Sequence, residues 1–487
     1  MAVQYLTERV HRAGVGTTVL MVVAIALLAL RQSFTVPMGL GMTPALLLAL
    51  MAGSLWVLTR AVGQRSTAHV VALSCPILLF VLADLVSYGA LMSRGTTPDV
   101  IAATRSSLLL DVVLLTTYFF VVTVIRSTNS VVRVAQAVVL GASISAVFAI
   151  IEYGTGIDFA AMAKPPLLRD HGTVLSATLM REGFARPQGA AGHPLELSAV
   201  LTVVSPIALG LVYGMRMSGH HWWPWATLAT ILVAGAGLTL SRSAVVGIVA
   251  AVLVMCWAWP VRRLVVLVCL GASVAVLAYV SNSRFLQAFV DVFAKSESDS
   301  SLQSRSIGRE FVYQNFARHL WFGEGPSTYS ALDHPVLDNQ YLARLMETGV
   351  VGLATYVALL ISAFVCALVA SGRFSRARFD APTRAMRRDA VAMLELTRGV
   401  AGAMAALIVI SSILDVAGFV QIWFLTWILV ALTGSTLHVS RKFVPVVEAS
   451  EECPDKGQSD DARGENHLHE RDDHEWPPIS DNARAQS

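Results

Sequence analysis

VGLATYVALLISAFVCALVA, residues 351–370, is a run of twenty residues without a charge. A helix needs roughly 20 mostly apolar residues to cross the hydrocarbon core of a bilayer, and this run has that length. Directly after it comes SGRFSRARFDAPTRAMRRDAVAM (371–393), with Arg373, Arg376, Arg378, Arg384, Arg387 and Arg388. Clustered arginines beside an apolar run mark the cytoplasmic end of a span.

The pattern recurs along the chain. Of 487 residues, 55% are hydrophobic and 14% charged, whereas a soluble domain keeps about a quarter of its residues charged. Apolar runs at roughly 15–31, 38–58, 69–92, 106–125, 131–151, 194–214, 223–240, 243–259, 264–281, 342–370, 394–414 and 416–438 predict about twelve spans. None shows the short alternation of an outer-membrane barrel. Backbone groups in hydrocarbon must be satisfied within their own segment, so such runs become helices. The fold class is therefore an all-α polytopic membrane protein. The first run follows Arg9 and Arg12 and ends without a small-residue cleavage site, so it counts as a helix rather than a signal peptide.

Arg60 and Arg65, Arg126 and Arg133, Arg216, and Arg262 with Arg263 punctuate alternate short loops. They place both termini in the cytoplasm and turn two large loops outward, about 152–193 and 282–341. Residues 1–440 form the transmembrane domain. The tail, 441–487, carries twelve acidic and four basic residues from Pro445 onward and reads as disordered and cytoplasmic. Cys75, Cys256, Cys269 and Cys366 fall inside spans and Cys453 in the tail, so no structural disulfide is expected. Membrane lipids are expected partners, and nucleic acid is not.

The polar residues with chemical content gather on the outward side. Gln303–Leu320 reads as a helix, with Ile307 and Phe311, then Val312, Phe316 and Leu320, at four-residue spacing. Such a helix fits the bilayer surface, and Arg305 and Arg309 share one of its faces. The turn Gly323-Glu324-Gly325-Pro326 follows, then Leu337-Asp338-Asn339-Gln340-Tyr341-Leu342, which runs into Glu347, Gly349 and Gly352. The first outer loop ends in Arg186-Pro187-Gln188-Gly189-Ala190-Ala191-Gly192-His193-Pro194, and Ser241-Arg242 closes the turn between the seventh and eighth helices. Arginine forks suit phosphate oxygens. Each arginine taken singly fits snorkelling to lipid or pairing with a carboxylate equally well. Arg186, Arg242, Arg305 and Arg309 as a set, beside glycine-rich turns, favour a shared anionic ligand.

In this order these segments resemble the O-antigen ligase superfamily, which includes related polysaccharide polymerases. The matching pieces are Arg186 to Pro194, Thr239-Leu240-Ser241-Arg242-Ser243-Ala244, Gly323-Glu324-Gly325, and the block Asn339 to Gly352, in which Asn339, Gly349 and Gly352 fit the family spacing. The family's histidine position holds Asp338. The resemblance implies a GT-C-like inverting glycosyltransferase that needs neither cofactor nor metal. Its donor is a glycan on undecaprenyl diphosphate, and its acceptor is a sugar on a lipid, a wall polymer or a growing chain. Arg186, Arg242, Arg305 and Arg309 would hold the diphosphate. Asp338 would be the base, with His334 in reserve and Asn339, Gly323, Gly325, Gly349 and Gly352 in support.

The plain alternative makes Asp338 a helix cap. A metal set of Asp333, His334 and Asp338 is the less favoured reading. The missing histidine inclines the reading slightly to polymerase over ligase. The rival from another class is a transporter or lipid-glycan flippase, for which Asp84, Asp111, Glu395 and Asp415 would serve as relays.

Overall fold

The computed structural model describes residues 2–35, 42–61, 72–166, 168–170, 180–181, 183–257, 259–280, 284, 300–329, 334–381 and 383–441. The expected tail and Asp333 lie outside them. In chain order the helices are α1 (Ala2–Ala29), α2 (Pro44–Ala61), α3 (Ser74–Arg94), α4 (Pro98–Val124), α5 (Thr128–Thr155), α6 (Phe159–Met162) and α7 (Pro194–Ser218). They continue as α8 (Trp223–Leu238), α9 (Arg242–Cys256), α10 (Val261–Val280), α11 (Ser300–Asn315), α12 (Gln340–Asp380), α13 (Arg384–Ile410) and α14 (Val420–Arg441). Two short antiparallel ribbons join them: β1 (Phe34–Thr35) pairs with β2 (Arg169–Asp170), and β3 (Met180–Arg181) with β4 (Phe184–Ala185).

Among the described residues seven helices, α3, α4, α5, α7, α12, α13 and α14, are long and apolar enough to cross a membrane. Shorter apolar helices occupy Gly14–Ala29, Pro44–Leu58, Trp223–Leu238 and Arg242–Cys256, and α10 lies on the ninth predicted run. The chain is a helical, multi-pass membrane protein.

The centre of the bundle is α7, α13 and α14. The apolar window of α14 is 94% buried, against 33% for α3 and α4. Small residues allow α7 and α13 to touch at backbone distance: a Cβ on Gly399 would lie 2.4 Å from the Pro206 carbonyl oxygen, and one on Gly210 2.7 Å from that of Glu395. Such contacts hold helices together where lipid removes the hydrophobic drive between them.

Three local expectations are corrected. The arginine-rich segment 371–393, left between the predicted spans 342–370 and 394–414, is largely helical: α12 runs to Asp380 and α13 starts at Arg384. Arginine is a good helix former, and a helix can outrun the bilayer without cost to its polar end. The helix predicted over 303–320 is α-helical only to Asn315 and continues as a 3-10 turn, Phe316–His319. Asn315 Nδ2 donates to the Phe311 carbonyl at 2.7 Å, and this side chain takes up an acceptor at the end of the α-helix. The third expectation, a continuous span from 342, fails at Gly349.

Candidate functional site

The break in α12 organises the second loop. Gly349 sits at φ 66°, ψ −166°, a region open in practice only to glycine. In an unbroken helix the Val350 and Val351 amides would donate to the carbonyls of Met346 and Glu347. Here the turn after α11 takes up all four groups. Val350 N donates to Leu320 O (2.8 Å) and Val351 N to Trp321 O (3.2 Å), while Glu324 N donates to Met346 O (2.9 Å) and Gly325 N to Glu347 O (2.7 Å). Gly323 and Gly349 are needed for this approach, since a Cβ on either would lie within 2.4 Å of backbone across the joint. From α3, Arg94 donates to Gly323 O at 2.8 Å, and Ser87 Oγ to Phe322 O at 2.6 Å.

The segment before the break, Gln340–Thr348, is thus an independent short helix that presents Asp338 and Asn339 at its start. Its cap is Asn339: Oδ1 accepts from Leu342 N (3.1 Å), and Nδ2 donates to Ser412 O (2.9 Å). Gln340 N donates to Ser411 O at 2.8 Å, which docks the segment on the turn after α13. Asp338 does not cap. It accepts from Arg305 Nε on Oδ2 at 3.1 Å, with both side chains about one-fifth exposed, at 21% and 23%. Inside the segment, Arg344 makes a buried two-pronged ion pair with Asp84 of α3 and lies over the Phe80 ring, 4.5 Å from its centroid.

The strap 186–194 meets this centre from the other loop. Glu152 Oε2 accepts from the amides of Gln188 (3.0 Å) and Gly189 (2.9 Å), Ser145 Oγ from Ala190 N (3.0 Å), and Glu196 Oε2 from Gly192 N (2.8 Å). Arg31 binds Asp158 and reaches Gln188 Oε1 at 3.2 Å. At one end of the strap, buried Arg186 donates from Nε to Thr239 O at 2.8 Å, which ties it to the turn ahead of α9. At the other end, His193 Nδ1 accepts from Leu195 N at 3.1 Å and caps α7.

Electrostatics connect the two halves. Burial, and then the Arg186 charge, push the His193 imidazole down to about 4, with Asp338 pulling the other way. Burial raises the Asp415 carboxyl, in the turn between α13 and α14, to about 6, and the Asp338 charge acts in the same sense. His193 is therefore neutral at pH 7, with Nε2 carrying its proton because Nδ1 accepts.

Of the sequence candidates, Asp338 and Arg305 are in direct contact, and Arg186 and Asp338 both act electrostatically on His193. Arg309 is exposed one turn along α11, and Arg242 is half-buried as the first residue of α9. His334 belongs to an aromatic group, stacked on Tyr329 (4.9 Å between centroids) and edge-on to Phe311 (5.3 Å). Gly325, at φ 123°, faces Leu91, and Gly352 faces Thr348.

His193 stands in the quoted strap but is not among the candidates read from the sequence. Nor is Arg344, whose charge two positions into the helical pattern after Leu342 was the available signal. Asp84 is its partner, and Glu395 pairs with Arg263 and Arg398.

Residues 226–357 match the family model described as O-antigen ligase. No curated protein matches the chain. The match runs from α8 to the middle of α12 and takes in Arg242, Arg305, Arg309, His334, Asp338, Asn339 and all four supporting glycines. The resemblance read from the short motifs is thereby supported: residues 226–357 are similar to the O-antigen ligase family, while the Arg186 to Pro194 motif lies outside the matched stretch.

Proposed function

We propose that the protein transfers a glycan from an undecaprenyl-diphosphate-linked donor to an acceptor sugar hydroxyl at the outer face of the cytoplasmic membrane. Twelve spans leave both termini cytoplasmic in this reading, and the reaction inverts the anomeric centre without a metal. The observation that carries it is the Arg305–Asp338 ion pair at the start of α12, inside the O-antigen ligase match and within electrostatic reach of His193.

Two demands define such chemistry: a base for the hydroxyl and charge stabilisation for the departing diphosphate. Asp338 takes the hydroxyl proton, the freed oxygen attacks the anomeric carbon, and the bond to the diphosphate breaks. Arg186, Arg242, Arg305 and Arg309 hold the diphosphate oxygens, and His334 stands as the reserve base. A carboxylate where the family places histidine inclines the reaction to polymerisation over ligation.

The test uses purified protein, a synthetic undecaprenyl-diphosphate oligosaccharide and a chelator. Wild type is expected to release undecaprenyl diphosphate and build a ladder of longer glycans. Asp338→Ala and Arg305→Ala should each lose about 100-fold or more in rate while remaining folded. A donor left chemically intact but moved across proteoliposomes would replace the transferase with a transporter. Activity lost in chelator and restored by magnesium or manganese would overturn the metal-free mechanism.

A further inference from the structure

A second charged cluster lies away from Asp338. Tyr213 follows His193 by about 30 Å along α7, at 1.5 Å per residue, which is close to the thickness of a bilayer core. At that level Glu395, 3% exposed, accepts on Oε1 from Arg263 NH1 of α10 (3.0 Å) and from Arg398 NH1 of its own helix (2.9 Å). The Arg263 guanidinium lies over Tyr213, 4.5 Å from the ring centroid, and over Trp259 at 5.8 Å. Arg263 and Arg378 both act electrostatically on Arg398. Two cations thus share the Glu395 carboxylate, and Arg378 adds a third positive charge beside Arg398.

The hydrogen-bond inventory is weighted toward donors, although Glu395 Oε2 is itself buried without a partner. Among the described residues, Arg378 Nε, Arg398 Nε and the indole Nε1 of Trp259 are buried donors that meet no acceptor, and Trp259 is only 8% exposed. Each is a donor with no accepting capacity, and buried donors of this kind are normally paired. Surplus positive charge together with unmet N–H groups calls for an anion with several acceptor oxygens.

We infer that Arg263, Arg378, Arg398 and Trp259 form a binding site for a phosphate-bearing anion at the end of the bundle opposite Asp338. Basic pockets between helices at a membrane surface bind anionic head groups in this manner. The site is independent of the transfer chemistry.

The experiment titrates the full-length protein with phosphatidylglycerol, phosphatidylcholine or inorganic phosphate and counts bound molecules by native mass spectrometry. Phosphatidylglycerol should fill a saturable site about tenfold more tightly than phosphatidylcholine. Arg378→Gln, which leaves the Glu395 ion pairs intact, should weaken it about fivefold. Trp259→Phe keeps the ring over Arg263 and removes the N–H, and it should weaken binding by a smaller factor. Displacement of the lipid by inorganic phosphate would assign the site to the phosphate group alone, and failure to displace would assign it to the lipid. Equal binding of phosphatidylcholine, or wild-type phosphatidylglycerol binding by both variants, would overturn the inference.

Discussion

Two glycine-bearing segments flank the candidate site, and they are held by different means. The strap 186–194 is gripped by side chains from outside: Glu152, Ser145 and Glu196 each take amides of the strap, and Gln421 donates to its Ala190 carbonyl. The joint between 320–325 and 346–351 is closed by four backbone-to-backbone bonds, with Ser87 and Arg94 of α3 only bracing its carbonyls from one side. A side-chain grip can be loosened one residue at a time. A backbone joint fails only when something enters between the strands of chain.

The largest effect is therefore expected from Gly349→Ala. The new methyl group would lie 2.4 Å from the Trp321 carbonyl carbon at a positive φ, and the cost should be about 3 kcal/mol or more. Thermal unfolding in detergent would show it as a large fall in Tm. An unchanged Tm would mean that the joint has no part in stability.

Glu152→Ala attacks the strap instead, leaving the Gln188 and Gly189 amides without their acceptor. It should cost about 2 kcal/mol, and Glu152→Gln should recover much of it, because an amide oxygen accepts as well. Failure of glutamine to rescue would move the role of Glu152 from acceptor to charge. Asn339→Ala, which removes a cap but leaves the Asp338–Arg305 contact, should cost about 1 kcal/mol. Restoration by Asn339→Ser would separate capping from any part Asn339 plays in transfer.

The smallest net effect in the wild-type protein is a pH dependence in which the two sides oppose each other. His193 has a lowered pKa in the fold, about 4, so its contribution to stability is complete above its unfolded value, about 6.5, and is lost as pH falls toward 4. Asp415 has a raised pKa, about 6. Its contribution is complete below its unfolded value, about 3.9, and is lost as pH rises through 6. The two slopes oppose each other between pH 4 and 6. In Asp415→Asn, Tm should fall more steeply over that window than in wild type. Parallel pH profiles for the two proteins would refute the opposition.

Much of this architecture was legible before any coordinates. Apolar runs located the helices because length in hydrocarbon is a hard constraint, and the α11 stripe was visible in the four-residue spacing of Ile307, Phe311, Val312 and Phe316. Gly349 and Gly352 were visible as motif spacing, but the break at Gly349 was not. Its cause is a turn some 25 residues earlier in the chain whose backbone groups replace the lost helical bonds. The Asp84–Arg344 pair was hidden for a related reason: its members are 260 positions apart. Within the pair Asp338-Asn339, local rules allowed either residue to cap. The choice fell to Asn339 because Arg305, brought in by α11, engages the aspartate.

Gln421 gives the molecule an order of assembly. Its amide donates to Glu196 Oε1 at 2.6 Å, and its side chain to Leu27 O at 3.2 Å and Ala190 O at 3.1 Å. One residue near the start of the last helix thus closes contacts with the first helix and with the strap. During synthesis α1 and the strap emerge long before α14, and domains form in the order in which the ribosome releases them. The strap must wait, with its Ala190 carbonyl and the Glu196 carboxylate still open, while more than two hundred residues are inserted between them and their final partner. Completion of the site is a late event in biogenesis, and a chain stalled before residue 420 carries the arginines and Asp338 on a scaffold that has not yet been locked.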